Sequence, residues 1–146
     1  GAFCYDYTLK TFAYLYNSDI NPKIISSQVR HIDFMPTILE MLDIPINTSF
    51  EKLDGKSLMP LIKGQNISEE FAFSETGNPL NEKAPPKTPN TKSIRNSKWK
   101  LIHNEHNNTK ELYDLQNDPS EENNLIGENF EIEKELSKEL LNHTNE

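Results

Sequence analysis

Apolar and polar residues alternate with a period of two in the best patterned stretch of the chain. Trp99, Leu101 and His103 fall on one side of an extended backbone, and the residues between them fall on the other. This period predicts a half-buried β-strand. A polar stretch at 104–109 separates it from a second short run at 111–115. Together the two runs predict an antiparallel hairpin.

Three other short runs have the composition of strands. Residues 11–16 are rich in aromatic residues, and we expect a strand with at least one buried face. Residues 24–29 and 71–76 predict two further extended segments. After the last of these, residues 77–91 form a polar stretch with four prolines, which predicts a long loop that is either functional or disordered.

Helical spacing marks residues 29–42. Apolar side chains recur there every three or four positions, at Ile32, Met35, Leu39 and Leu42. Asp33 is placed to cap this helix, and Pro36 falls in its first turn, where a missing N–H is harmless. We therefore assign His31, Asp33 and Thr37 to hydrogen bonds at the helix end rather than to ligand binding.

A second helix is predicted over residues 129–141. Its apolar stripe consists of Ile132, Leu136 and Leu140, backed by Phe130 and Leu141. Ahead of it, Asp118, Pro119 and Glu121 have the spacing of a helix N-terminus. They predict a short capped helix that ends near Gly127.

The charge and composition of the chain exclude some classes of binding partner and limit the size of the core. The net charge is −8, which excludes nonspecific attraction to nucleic acid or to an anionic membrane. Hydrophobic residues make up only 34% of the chain, so we expect a thin core. No apolar run has the length of a membrane span.

Cys4 is the one cysteine, so no internal disulfide can form, and we expect it to be a small buried hydrophobe. The chain starts at Gly1 without methionine and enters patterned sequence at once, which suggests a fragment or a processed product. The compartment is left open.

Several spaced motifs occur in one order. Lys-Leu-Ile at 100–102 is followed by Glu-Leu-Tyr-Asp-Leu at 111–115 and by an Asp-Pro-x-Glu-x-x-Asn-Leu segment that starts at Asp118. This series resembles the C-terminal signature of the type I sulfatases, metal-dependent hydrolases of the alkaline-phosphatase-like superfamily. Two earlier segments are also similar to sulfatases: His-x-Asp-x-x-Pro-Thr from His31, and Asp-Gly-x-Ser-Leu-x-Pro-Leu from Asp54, which by itself predicts a turn and a short helical turn.

The resemblance implies an α/β fold. Residues 1–62 would be the end of a sulfatase catalytic domain, and residues 63–146 a C-terminal subdomain in which a small antiparallel sheet is packed by the terminal helix. The rest of the catalytic domain would then be the partner of this chain. Without it, we expect exposed apolar surface at Phe12, Tyr14, Met35 and Leu39, and self-association through it.

The resemblance also implies a parent enzyme that hydrolyses a sulfate ester of a small molecule or sugar. Such enzymes use a formylglycine nucleophile and a divalent cation, Ca²⁺ or Mg²⁺, held by oxygen ligands. The formylglycine motif is Cys/Ser-x-Pro/Ala-x-Arg, whereas Cys4 is followed by Tyr-Asp-Tyr. We therefore assign no catalytic residue and no metal ligand to this chain, and expect the chain alone to be inactive.

The loop at 77–91 matches a sulfatase region that lies over the active-site mouth. The candidate substrate-binding residues in and around it are Glu75, Asn78, Lys83, Lys87 and Arg95. Two alternatives stay open. The parent can be a related phosphonate or phosphate-ester hydrolase, or the chain can be a non-catalytic binding or oligomerisation module.

Overall fold

The computed structural model of the protein describes residues 3–45, 53–77 and 87–144. The chain forms two compact units. The first combines Gly1–Ala13 with Phe71–Glu146, and the second is Tyr14–Glu70.

A four-stranded antiparallel sheet is the centre of the first unit, with the strands in chain order. The strands are β1 (Ala72–Thr76), β2 (Thr91–Arg95), β3 (Trp99–Asn104) and β4 (Thr109–Asp114). Ile94 of β2 lies opposite Leu101 of β3, which lies opposite Leu112 of β4. The predicted hairpin is therefore confirmed, with β3 and β4 as its arms.

Helix α4 (Phe130–Thr144) covers one face of the sheet. Leu136 and Leu140 are buried there with the row of Ile94, Leu101 and Leu112. The predicted helix and the core of its stripe are confirmed. Two flanking residues were wrongly placed in that stripe: Phe130 is 67% exposed and Leu141 is 59% exposed.

The opposite face of the sheet is covered by the N-terminal strap, defined here as residues 3–9, which ends in the short helix α1 (Asp6–Leu9). Cys4 of the strap is buried in one cluster with Ile102, Tyr113 and Leu115. The prediction that β3 is half-buried is thus wrong. Because the strap packs on the second face, Lys100 and Ile102 are buried as fully as Leu101 on the first.

In the second unit, a 3₁₀ turn (His31–Asp33) leads directly into α2 (Phe34–Met41), and α3 (Met59–Ile62) is a single turn. The buried Asp33 carboxylate accepts hydrogen bonds from the Arg30 guanidinium and from the backbone N–H of Lys56. The Thr37 hydroxyl donates to the Asp33 carbonyl and accepts from the Leu58 N–H. Both residues thus form structural hydrogen bonds at the start of α2, as predicted, but the predicted cap is wrong, because the Asp33 side chain makes no hydrogen bond to the first turn of α2.

Two predicted extended segments are not strands. Residues 11–16 and 24–29 pair with no other strand of the described ranges. A strand needs a neighbouring strand to take up its backbone hydrogen bonds, and composition alone cannot supply one. The predicted buried face of residues 11–16 is also wrong, since Phe12 is 93% exposed and Tyr14 84%.

The predicted short helix that begins at Asp118 and ends near Gly127 is absent as well. The Asp118 carboxylate accepts from the N–H groups of Glu122 and Asn123, which makes a turn. Glu121 has a φ of 57°, a left-handed backbone that a right-handed helix cannot contain. Among the helices of the described ranges, none has the length and apolar character that a membrane crossing needs.

Candidate functional site: the charged cluster under the strap

Four charged side chains meet between the strap and the sheet, and we call them the charged cluster: Asp6, Arg95, Lys100 and Glu121. Lys100 Nζ lies 2.8 Å from Asp6 Oδ1 and 2.7 Å from Glu121 Oε1. Arg95 Nη1 lies 2.6 Å from Asp6 Oδ2. The backbone N–H of Asp6 donates to Glu121 Oε2 at 2.7 Å.

The cluster has two positive and two negative groups, and its central ammonium group is fully buried. Burial raises the pKa of the Asp6 carboxyl, but the hydrogen bond and charge of Lys100, together with Arg95, outweigh burial. The pKa of Asp6 therefore lies below its ordinary value. With two positive and two negative side chains, the cluster has no net charge.

A second polar group flanks the cluster on the same face of the sheet. The hydroxyls of Tyr5 and Tyr113 both donate to Glu111 Oε2 at 2.7 Å, while the amide of Asn104 donates to Glu111 Oε1. Burial and the neighbouring Glu111 carboxylate raise the pKa of Tyr5 to about 12, and they raise the pKa of Tyr113 as well. Both phenols are thus neutral hydrogen-bond donors at physiological pH.

An open cavity of about 450 Å³ lies beside the cluster. It is lined by Asp6, Tyr7, Lys10, Pro119 and Ser120. Only Asp6 of these is buried, so the cavity is a shallow surface feature and not a closed active site.

The candidate substrate-binding residues that the structure describes do not form one site. Arg95 joins the charged cluster, and Glu75 is exposed on β1. Because the register places Glu75 and Arg95 at positions of opposite parity, their side chains leave the sheet on opposite faces. Lys87 is exposed, and Asn78 and Lys83 lie outside the described residues.

Sequence reasoning missed three members of the cluster: Asp6, Lys100 and Glu121. The alternating pattern places Lys100 on the second side of a half-buried strand, and the spacing after Asp118 places Glu121 at a helix N-terminus. One signal was available, since Lys100 stands between two large apolar residues of a strand, and a buried lysine requires carboxylate partners. The sequence does not show which carboxylates these are, because Asp6 and Glu121 lie 94 and 21 residues away from Lys100.

The arrangement can hold chain segments together, and it offers little for catalysis. Each charge in the cluster is neutralised by a direct partner, and the Cys4 thiol is buried, which raises its pKa. Within the part of the chain that the structure describes, no three His, Cys, Asp or Glu side chains are grouped so that they could hold a metal ion.

Residues 2–146 match the family model described as N-sulphoglucosamine sulphohydrolase, C-terminal. The chain belongs to this sulfatase family. A comparison with curated protein sequences gave no significant match.

Solved structures agree with the family. A protein in complex with its substrate D-glucosamine-2-N,6-O-disulfate is 26% identical, with a TM-score of 0.61, over 77% of this chain and 23% of that one. A 2-O GAG sulfatase is 27% identical, with a TM-score of 0.52, over 77% of this chain and 22% of that one.

A different activity occurs among these relatives. The phosphonate monoester hydrolase of Silicibacter pomeroyi is 25% identical, with a TM-score of 0.57, over 76% of this chain and 24% of that one. The present chain thus spans less than a quarter of the length of the first two structures and about a quarter of the third.

Proposed function

We propose that this chain is the C-terminal part of a sulfatase, and that the whole enzyme hydrolyses a sulfate ester of a sugar. The observation that carries the proposal is the match of residues 2–146 to the C-terminal region of a sulphohydrolase family. The sugar is favoured because a matched structure holds a sulfated glucosamine as its substrate.

In this proposal the reaction takes place outside the described residues. A formylglycine and a hard divalent cation, Ca²⁺ or Mg²⁺, would supply the nucleophile and the stabilisation of sulfate charge. Among the described residues, Cys4 does not fit the first role, since it is buried against the Ser74 carbonyl, and the carboxylates of the charged cluster do not fit the second, since Lys100 and Arg95 neutralise them. The partner of this chain would be the remainder of the catalytic domain.

The division at residues 62 and 63, between the end of the catalytic domain and the C-terminal subdomain, is part of the proposal. So is a substrate-binding role for the loop after β1. Lys87 supports it, because this exposed ammonium group is available to an anionic sugar. Glu75, Asn78, Lys83 and Arg95 stay candidates for the same role.

The test uses a protein that carries this chain together with an upstream catalytic part. We expect release of sulfate from a sulfated glucosamine by that protein, and none by the chain of residues 1–146 alone. Turnover of an aryl sulfate by the isolated chain that persists after Cys4→Ala would overturn the assignment of catalysis to another segment.

A second candidate is hydrolysis of a phosphonate or phosphate ester. It is favoured by one observation, the similarity to the phosphonate monoester hydrolase. The same longer protein, assayed side by side with a sulfate ester and a phenyl phosphonate ester, separates the two. A higher kcat/KM for the phosphonate would replace the sulfatase proposal by this one.

A further inference from the structure

Three consecutive residues of the strap contact all four strands of the sheet. Cys4 Sγ lies 3.9 Å from the Ser74 carbonyl of β1. The Tyr5 hydroxyl donates to Glu111 of β4. Asp6 pairs with Arg95 of β2 and with Lys100 of β3. The strap is thus attached across the full width of the sheet within three residues.

Most of these attachments are directional and polar. Asp6 alone makes two of them, one through each carboxylate oxygen, and its backbone N–H also donates to Glu121 in the turn after β4. Buried ion pairs contribute little net stability compared with apolar side chains of the same size, because two charges must be desolvated. Their best attested benefit is to fix one register among several.

The backbone of Glu121 gives a second indication that the strap is held in one fixed position. It adopts a left-handed backbone with a φ of 57°, which is strained for a residue with a side chain. In that conformation its carboxylate reaches both Lys100 Nζ and the N–H of Asp6. The turn after β4 is therefore held in a strained form that completes the attachment of the strap.

We propose that the charged cluster is a positioning device for the reaction, with Asp6 and Lys100 as positioning residues. This inference rests on the proposed function, in which the chain that joins the strap ahead of Phe3 contributes to the catalytic domain. The cluster fixes the strap on the sheet and thereby fixes where that preceding chain ends. Neither residue touches the substrate, and both act through the backbone of the strap.

The experiment uses the longer protein with three variants. Asp6→Asn keeps the shape of the side chain and removes its charge, and Lys100→Met removes the central ammonium group. Lys98→Met is the matched control, since Lys98 lies two residues earlier and is exposed. For each variant we measure kcat and KM on a sulfated glucosamine, the melting temperature, and hydrogen exchange of residues 3–9 and of α4.

We expect Asp6→Asn and Lys100→Met to lower kcat by about 10- to 100-fold with KM changed less than about twofold, because small misplacements of reacting groups have effects of this size. Exchange in residues 3–9 should rise while α4 stays protected, which shows that the variant is folded. The control should match the wild type in every measurement.

The triple variant Asp6→Asn, Lys100→Met and Glu121→Gln separates positioning from stability. It removes the three most buried charges of the cluster together and leaves only Arg95, whose side chain is 19% exposed, so the melting temperature should recover towards the wild type. A kcat that stays low supports positioning, whereas a kcat that recovers with the melting temperature overturns it. A wild-type protein that turns over no sulfate ester overturns the proposed function instead, and this inference with it.

Discussion

At the scale of single residues, the structure depends on two positions where only glycine fits without strain. Gly55 is one of them, because a Cβ placed on it would lie 1.9 Å from the carbonyl oxygen of Ile32. Gly64 differs, since a Cβ there would meet no atom within 4 Å, but its φ of +86° is left-handed. The two glycines are therefore required for different physical reasons.

Gly55→Ala should lower the free energy of unfolding by about 3 kcal/mol or more, because the backbone must move to admit the methyl group. Gly64→Ala should cost only about 1–2 kcal/mol, the penalty of a left-handed backbone. Urea denaturation of the two variants checks the order. Equal losses would contradict the close approach of Gly55 to Ile32.

Acid should destabilise the chain through Asp6 and Asp33. Burial raises the pKa of each carboxyl, but hydrogen bonds from Lys100 to Asp6 and from Arg30 to Asp33 outweigh burial, and both pKa values lie below the ordinary value. A carboxyl whose pKa is lowered by folding stabilises the fold above its unfolded pKa, and this contribution is lost as the pH falls through the folded pKa.

The free energy of unfolding should therefore be nearly constant above about pH 5 and fall below about pH 4. Asp6→Asn and Asp33→Asn should each make that fall shallower, and Asp19→Asn, at an exposed site, should not. Urea titrations between pH 3 and 6 measure the slope. An unchanged slope in both buried variants would show that other groups govern acid unfolding.

At the scale of elements, α4 is attached to the sheet by a narrow stripe. Leu136→Ala should cost about 2–5 kcal/mol, because a buried leucine leaves a cavity against Ile94, Leu101 and Leu112. Leu141→Ala on the same helix should cost less than about 0.5 kcal/mol, since that side chain is 59% exposed. Denaturation midpoints of the two variants test the orientation of α4.

Elements that are marked by a local sequence pattern could be predicted, whereas contacts with residues far away in sequence could not. The hairpin of β3 and β4 follows from local periodicity, because its two strands are neighbours in sequence. The helix α4 follows as well, because its buried apolar residues repeat at helical spacing and pack on one face of the sheet. The second buried face of β3 could not be predicted, since it depends on the strap. The period-two pattern correctly marks a strand, but it does not say how many faces are covered.

The predicted helix after β4 failed for a related reason. Asp118 and Glu121 have the residue types and spacing of a capping box, but the Glu121 carboxylate is paired with Lys100 instead. A buried ammonium group is a stronger partner for a carboxylate than a backbone N–H at an exposed helix end. The candidate site was missed for the same reason, since its pairs join residues far apart in sequence.

At the scale of the whole molecule, the chain has a net charge of −8 and several exposed apolar side chains. Four apolar residues were predicted to be exposed. The prediction is correct for Phe12, Tyr14 and Met35, whereas Leu39 is half-buried. Helix α2 carries an exposed apolar row made up of Met35, Ile38 and the adjoining Ile32 and Leu42. Rows of this kind are typical of surfaces that another chain or segment covers.

Self-association of the isolated chain should therefore depend on α2. Met35→Glu combined with Ile38→Lys should shift the sedimentation profile towards monomer at a given concentration, because both side chains are about half exposed and face solvent. Glu40→Gln, an exposed site on the same helix, is the control. A wild-type chain that is monomeric at high concentration would contradict the prediction.

The separation of 94 residues between Asp6 and Lys100 has a consequence for biosynthesis. At about 5–20 residues per second, the ribosome needs roughly 5–20 s to make the lysine after the aspartate has been added. Throughout that interval the strap has no sheet to bind, and its tyrosines and Cys4 are open to solvent and to other nascent chains. The strap thus cannot bind its partners until β3 has been made, and we expect the folding yield of this unit to depend on chaperones that shield the strap until then.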